Sequence, residues 1–368
     1  MSAKPEITAR FFTPEGNQNL ASTRNPRKCI IKSGYGAMNR RCWLEFYNSD
    51  LNLPVSLGNI LELWINGMRC FRGRIAQRRI DSIDDYLSIY AEWDPERAHN
   101  IPIGGIFENQ TATEILNQIL TSSGLVYAGG FSHDIRFSRL EFAEYPLFSA
   151  IDLLAKLAGN WLWGVSDDSI LTFKPPTGNP EQILYLREDL SVVNLWETYT
   201  DIALHVLVHG GVVSGSTYEN WIEIPEREYS AEEDLARIYA RPITTPDVFS
   251  ALRRAVIEQM TGAHYEHYVE LSGAGETIQP GDRVRMQVEN VPIFPKEQIF
   301  RVLMREITYA HENLQTQLHL VTGFSSAPTY FYYLKSDRKM ILPYMGGKVG
   351  AFQLDISALD TAAHLDAA

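Results

Sequence analysis

Cysteine is scarce in this sequence, and long apolar runs are missing. The three cysteines are Cys29, Cys42 and Cys70, and no two of them form a CxxC pair. This spacing predicts reduced, buried thiols rather than a disulfide framework or a zinc site. No stretch approaches the roughly 20 consecutive apolar residues that cross a bilayer, and the start of the chain lacks the apolar segment of a signal peptide. We therefore expect no membrane span and no Sec export.

An excess of basic residues is also missing, because the formal net charge is −12. A dedicated nucleic-acid binder would need a basic stripe that displaces counterions from phosphate. The acidic balance does not exclude a surface past which DNA slides without sticking, because an acidic wall repels phosphates. One local basic cluster is the exception, and it predicts either a solvated strand face or a subunit contact. Its members are Arg40, Arg41, Arg72, Arg74, Arg78 and Arg79.

Recognisable catalytic motifs are absent as well, including HExxH, GxSxG and a phosphate-binding glycine loop. His264 and His267 are the densest metal-type pair, but residues three apart on a strand point to opposite faces. Acidic pairs such as Asp84-Asp85 and Asp167-Asp168 are typical turn formers. We therefore assign no catalytic, cofactor-binding or metal-binding residue, expect no cofactor, and predict that the protein is not an enzyme.

Two stretches near opposite ends of the 368-residue chain have the same apolar pattern. Each places apolar residues at the same three offsets after a glycine, and this alternation is typical of a half-buried strand. The residues are Leu61, Leu63 and Ile65 after Gly58, and Val284, Met286 and Val288 after Gly281.

Each of these strands leads through a turn to a second strand that opens with Phe-Arg, at Phe71-Arg72 and at Phe300-Arg301. A third strand closes each unit, over Leu87 to Trp93 and over Leu314 to Leu320. The pattern predicts two related antiparallel β-modules in one chain. The alternative is that two unrelated amphipathic meanders share the same simple alternation.

Between the two β-modules the apolar spacing becomes helical. Thr111 and Glu114 form a capping-box pattern before a run of apolar residues. A second helix is predicted after Pro146, and Asp167-Asp168 is predicted to turn a hairpin. Together these elements predict a compact α+β unit.

Two further helix starts lie before the second module. Ser230 with Glu233 has the capping-box spacing, and Pro246-Asp247 is a typical helix opening. These signals predict a helical insertion within the second β-module.

Short motifs in this order resemble a known family. They are Leu61-Glu-Leu-Trp-Ile-Asn-Gly67 with Phe71-Arg-Gly-Arg-Ile75, Thr113-Glu-Ile-Leu116, Tyr145-Pro-Leu-Phe148 with Leu153-Leu-Ala-Lys-Leu-Ala158 and Trp161, and Gln279-Pro-Gly-Asp282. The likeness covers about residues 28 to 325. It is to the baseplate hub proteins of contractile-tailed phages, the late control protein D family, and to the hub half of type VI secretion spike proteins.

The resemblance implies a mainly β fold with α+β insertions: two tube-like β-barrel modules per chain plus a small α+β domain and a helical insertion. The boundaries we predict are an extended N-terminal arm at 1–27, the first barrel at 28–105, the small α+β domain at 106–178, the second barrel at 179–225 and 263–325, the helical insertion at 226–262, and a C-terminal docking tail at 326–368.

The resemblance also implies a function without catalytic residues. Hubs of this family are homotrimers in which two tube-like domains per chain make a six-fold ring. The implied partners are a tail tube protein, a spike protein, and baseplate wedge or tape-measure components, with DNA passing through an acidic channel without specific binding. The implied location is the tail baseplate of a virion, assembled in the host bacterial cytoplasm. Spike fusions of the family are longer than this chain, so a separate spike polypeptide is expected.

One other function fits the composition, and it is a carbohydrate- or peptidoglycan-active baseplate protein. The 18 Tyr and 7 Trp residues could line a sugar groove, and Asp/Glu pairs could act across it. Aromatic residues are equally expected at large subunit interfaces.

The end of the chain, residues 326–368, carries apolar segments at Tyr330 to Tyr333 and at Met340 to Tyr344. Exposed segments of this kind mark contact surfaces. We expect this tail to dock onto the spike or a neighbouring subunit. The alternative is an arm that folds back on its own barrel.

Overall fold

A computed structural model gives the fold of the chain. It describes residues 5–34, 40–47, 54–81, 86–93, 101–175, 182–185, 190–198, 205–223, 235–260, 264–271, 278–287, 297–321, 332–334 and 339–341. Within these ranges the chain is mainly β, as the sequence predicts.

The described strands and helices are, in chain order, β1 (Ile7–Phe12), β2 (Asn19–Arg24), β3 (Lys28–Gly34), β4 (Arg41–Tyr47), β5 (Ile60–Ile65), β6 (Met68–Asp81), β7 (Tyr86–Trp93), β8 (Pro102–Thr111), α1 (Ala112–Leu120), β9 (Val126–Tyr127), β10 (Arg136–Pro146), α2 (Leu147–Leu157), β11 (Leu162–Val165), β12 (Ile170–Lys174), β13 (Gln182–Tyr185), β14 (Leu190–Thr198), β15 (His205–Val213), β16 (Ser216–Glu223), β17 (Leu235–Tyr239), α3 (Pro246–Met260), β18 (His264–Leu271), β19 (Arg283–Gln287), β20 (Glu297–Ala310), β21 (Asn313–Val321), β22 (Tyr332–Leu334) and β23 (Lys339–Ile341).

A single large sheet contains both predicted β-modules. The first module consists of five strands in the order β3-β4-β7-β6-β5, and the second of five strands in the order β14-β18-β21-β20-β19. Every neighbouring pair in both orders is antiparallel. The second strand order repeats the first strand by strand, which confirms the predicted duplication.

The two modules also share a backbone hydrogen bond and a β-bulge at equivalent positions. In the first, the Gly58 amide donates to the Ile75 carbonyl at 2.8 Å, and in the second the Gly281 amide donates to the Val302 carbonyl at 2.8 Å. A β-bulge follows Ile75 in β6 and Val302 in β20. Such a bulge bends the strand locally, so the long strands of both modules bend at the same point.

The apolar offsets noted in the sequence define the core of each module. Leu61 and Leu63 of β5 are fully buried, and so are Val284 and Met286 of β19. Strands β3, β4 and β7 also contribute buried residues to the first core, and β18 and β21 contribute buried residues to the second.

The sequence pattern matched Phe71 of the first module with Phe300 of the second, and this match is wrong by two residues. Phe300 lies opposite Val284, and the residue in the same place opposite Leu61 is Gly73, not Phe71. Because side chains on a strand alternate with a period of two, a shift of two residues leaves the alternation unchanged. The pattern therefore could not reveal the shift.

Gly73 has no side chain because its neighbours occupy that space. A Cβ placed on it would lie 2.2 Å from the Glu92 carbonyl oxygen and 2.5 Å from Cζ of Phe71. The ring of Phe71 thus fills the position at which the second module places a side chain on the strand itself.

Replacing Gly73 by alanine is expected to lower the free energy of unfolding by about 1–3 kcal/mol, the usual cost of overpacking. Gly104→Ala is the control, since a Cβ there would meet only the Phe142 carbonyl oxygen at 3.9 Å. Urea unfolding followed by circular dichroism measures both variants. Equal stability of the two variants would contradict the close packing around Gly73.

The small α+β unit contains the predicted elements. Thr111 and Glu114 form both bonds of the capping box, with the Glu114 amide donating to Thr111 Oγ1 at 3.2 Å and the Thr111 amide donating to Glu114 Oε2 at 2.8 Å. The amide of Thr111 and the guanidinium of Arg136 lower the pKa of the Glu114 carboxyl. α2 begins directly after Pro146, and β11 and β12 pair antiparallel around the predicted aspartate turn.

Residues 205–223, predicted to belong to the second barrel, pair elsewhere. β15 and β16 lie in a separate five-stranded sheet, ordered β16-β15-β17-β23-β22. Their residues Val208 and Ile222 are fully buried in the core that also contains α2 and α3. Gly210 permits this placement, because a Cβ there would lie 2.1 Å from the Ile243 carbonyl oxygen. These residues are strands, as their assignment to a barrel implied, but they pair in a different sheet.

The N-terminal residues also differ from the predicted extended arm. β1 and β2 form a hairpin, and β1 pairs antiparallel with β5. Ile7, Ala9 and Phe11 are fully buried in the first core. This alternation spans only three positions between Pro5 and Pro14, so it does not stand out in the sequence.

Part of the predicted docking tail folds onto its own chain. β23 pairs parallel with β17, and β22 pairs antiparallel with β23. This placement matches the alternative of an arm that folds back, although the arm joins the five-stranded sheet rather than a β-module. The rest of the tail lies outside the described residues, and so does the predicted helix start at Ser230 and Glu233.

Candidate assembly interface

The two modules are joined edge to edge by one strand. The first half of β20 pairs with β19, and its second half pairs antiparallel with β3, from Met304 opposite Gly34 to Ala310 opposite Lys28. We call this contact the internal joint. It joins the strands of the two modules into one continuous sheet. The modules are therefore held to each other by backbone hydrogen bonds as well as by side-chain contacts.

Apolar and charged side chains both contribute to the internal joint. Ile307 of β20 is fully buried and Tyr309 is 5% exposed, and both pack in the core of the first module. On the opposite face, Lys32 Nζ lies 2.8 Å from Glu306 Oε2. The partly exposed ion pair adds little by itself, so burial of Ile307 and Tyr309 is the main stabilising contribution of the side chains.

Two arginines make the same contacts in each module. Arg301 Nη1 donates to the Gly281 carbonyl at 2.7 Å, and Arg305 Nη1 donates to the Ile278 carbonyl at 2.7 Å. Burial is the main cause that lowers the pKa of Arg305 to about 10, which still leaves the guanidinium charged at neutral pH.

On β6, Arg74 Nη1 donates to the Gly58 carbonyl at 3.3 Å, and Arg78 Nη1 donates to the Val55 carbonyl at 2.9 Å. These two bonds repeat those of Arg301 and Arg305. The arginine cluster noted in the sequence therefore includes two residues that brace the long strand from within its own module.

Other arginines connect the first module to the small α+β unit. Arg40 Nη1 lies 2.7 Å from Asp167 Oδ1, and Arg69 Nη2 lies 2.6 Å from Asp168 Oδ2. The predicted aspartate turn is thus also an ion-pair contact between two parts of the chain. Sequence patterns could not show this link, because its two sides are about a hundred residues apart.

The face of the sheet opposite the cores carries paired aromatic rings. Trp43 packs on Tyr90 with ring centroids 5.1 Å apart, and Tyr268 stacks on His319 at 4.4 Å. Both are cross-strand pairs, and they occupy the same place in the two modules. Near the internal joint this face forms a shallow groove with charges of both signs, lined by Lys28, Ile30, Lys32, Trp43, Glu45 and Ser88.

Two strands of the large sheet offer a second pair of edges. The second half of β6 pairs with β7, and β14 pairs with β18. Among the described strands, neither has a partner along its other edge. Residues 76–80 of β6 are all exposed. Unpaired strand edges are templates for pairing with another chain.

Thiols and metal-type side chains can be located within the described ranges. Cys29, Cys42 and Cys70 are buried free thiols, as predicted. In that same part of the chain, no group of three His, Cys, Asp or Glu side chains is placed to hold a metal ion. No helix among the described residues is long and apolar enough to cross a membrane.

Comparison with solved structures identifies the fold. The 43 kDa tail protein of prophage MuSo2 from Shewanella oneidensis matches with a TM-score of 0.64 and 14% identity, covering 86% of this chain and 98% of that one. The tail protein from Neisseria meningitidis MC58 matches with a TM-score of 0.65 and 13% identity, covering 87% and 97%. Neither a family model nor a curated protein matches the sequence.

A third structure extends the likeness to secretion systems. It is a type VI secretion component from Escherichia coli that is itself similar to the bacteriophage T4 tail proteins gp27 and gp5, with a TM-score of 0.51, 10% identity, and coverage of 88% of this chain and 77% of that one. The fold is thus one that prophage tail proteins and a type VI secretion component share. This chain has that fold, in agreement with the resemblance found in its sequence motifs.

Proposed function

We propose that this chain is the structural hub of a contractile phage tail or of a phage-like injection machine. Three chains would form a ring of six modules that adapts a six-fold tail tube to a three-fold spike. The observation that carries this proposal is the internal joint, in which two modules of one strand order meet edge to edge through β20 and β3. A trimer of such chains presents six similar surfaces on one side while keeping three-fold symmetry.

The role determines the partners. The tail tube would meet one side of the ring and the spike the other, and baseplate wedge or tape-measure components would surround it. DNA would pass through the channel without specific binding. The site of action would be the tail baseplate of a virion, assembled in the host bacterial cytoplasm. The function is architectural and requires no reaction, so the protein is proposed not to be an enzyme.

The mass of the full-length protein in solution tests this proposal. Light scattering after size-exclusion chromatography should give about three times the mass of the 41.7 kDa chain. A carbohydrate-active protein would not need to trimerise. A monomer at every concentration up to tens of micromolar would overturn the hub function, because the six similar surfaces would then not form.

A further inference from the structure

The two open edges of the large sheet are copies of the two strands that form the internal joint. β6 has the same place in the first module as β20 in the second, and β14 has the same place in the second module as β3 in the first. The chain therefore contains one completed β20·β3 contact and both halves of a second contact of the same type.

We infer that the second half of β6 pairs antiparallel with β14 of a second copy of this chain, in the register of the internal joint. We call this contact the subunit joint. The inference rests on the proposed ring and specifies which strands close it. Around the ring, internal joints and subunit joints would alternate.

The register of the subunit joint follows from rows of cross-strand neighbours. In the first module, one row of directly opposed residues consists of Ile31, Cys42, Ala91 and Ile75. The equivalent row of the second module consists, in the same order, of Leu195, His267, Leu320 and Val302. Ile80 lies five residues after Ile75, as Ile307 lies five residues after Val302. Ile307 is opposite Ile31 in the internal joint, so Ile80 is placed opposite Leu195.

The next position along the strands gives a second pair. In the internal joint Thr308 lies opposite Ile30. By the same equivalence, Asp81 is placed opposite Asn194. The two pairs Ile80/Leu195 and Asp81/Asn194 are therefore successive positions in one register.

The exposure of Ile80 on β6 supports pairing of this strand with a strand of another chain. Ile80 is 54% exposed, whereas its equivalent in the internal joint, Ile307, is fully buried. The strand is nevertheless already shaped for pairing, since it carries the same bulge as β20 and the same bracing bond, from Arg78 to the Val55 carbonyl. We therefore take the partner of this edge to be a second copy of the chain. Its β14 would cover Ile80 as β3 covers Ile307 in the internal joint.

Four cysteine substitutions in the full-length protein test the register. Directly opposite residues of antiparallel strands have Cα atoms about 4.5–5.5 Å apart, which lies within the range for a disulfide. The double variants Ile80→Cys/Leu195→Cys and Asp81→Cys/Asn194→Cys should form disulfides between chains under mild oxidation. The matched controls combine the same substitutions out of register, as Ile80→Cys/Asn194→Cys and Asp81→Cys/Leu195→Cys.

Non-reducing electrophoresis and solution mass give the outcome. Covalent dimers and trimers from both in-register variants, and at least tenfold less from both controls, would establish the subunit joint. A trimeric mass without these links, or with equal linking in the controls, would overturn the inference while leaving the ring intact. A monomeric mass for the unsubstituted protein would instead overturn the ring itself, and the subunit joint with it.

Discussion

Replacing Lys156 by methionine is expected to lower the free energy of unfolding by about 3–5 kcal/mol, the usual cost of leaving a buried charge without its partner. Lys156 is fully buried on α2, and its Nζ lies 3.0 Å from Oδ2 of Asp152 one turn earlier. The Trp163 indole also donates to Asp152 Oδ1 at 3.2 Å. Burial raises the pKa of Asp152 and lowers that of Lys156, and the attraction between the two charges opposes both shifts.

The double variant Asp152→Asn/Lys156→Met is the control for this experiment. It removes both charges together and keeps an oxygen that accepts the Trp163 hydrogen bond, so most of the lost stability should return. Urea unfolding of the wild type and both variants measures the difference. A loss below about 1 kcal/mol in Lys156→Met, the value typical of a solvent-exposed pair, would contradict the buried ion pair.

Replacing Ile80 by lysine is expected to abolish the trimer while leaving the fold of each chain unchanged. Lysine on an exposed strand edge blocks pairing with another chain. In the subunit joint the ammonium would lose its water at each of three contacts, at about 3 kcal/mol each, which is roughly a hundredfold in each association constant. Sedimentation should therefore show a monomer at concentrations where the wild type is trimeric.

Ile106→Lys is the matched control for this substitution. Ile106 is also 54% exposed on a strand, but it lies on β8 in the small α+β unit, away from the subunit joint. This variant should remain trimeric, and both variants should keep the far-ultraviolet circular dichroism spectrum of the wild type, which reports an unchanged fold. Dissociation of both variants, or of neither, would show that the β6 edge has no specific part in assembly.

The sequence predicted the duplication because both modules use the same apolar offsets after Gly58 and Gly281. Alternation of apolar residues shows that a segment is a strand and which face is buried, but it does not show the pairing partner. For this reason residues 205–223, which are strands as a barrel segment requires, were assigned to the wrong sheet. The two-residue error between Phe71 and Phe300 has the same origin, since a shift by one full period preserves every face.

The candidate interface was less accessible to sequence reasoning. The sequence singled out Arg74 and Arg78, but their carbonyl partners on the segment that includes Val55 and Gly58 become visible only in the folded strands. The open edges of β6 and β14 are properties of strand order, which depends on contacts between residues far apart in the chain. The sequence hinted at a second subunit through the resemblance to hub proteins and through the arginine cluster, which includes Arg78 and Arg79 of β6.

The rotational symmetry of the purified full-length protein tests the central claim most directly. Electron-microscopy averages viewed down the axis should show a closed ring of six similar lobes at low resolution, and strict three-fold symmetry when the two kinds of module are resolved. That result follows from alternating first and second modules joined by equivalent contacts. A two-fold dimer, or an open assembly in which first modules meet first modules, would contradict the account.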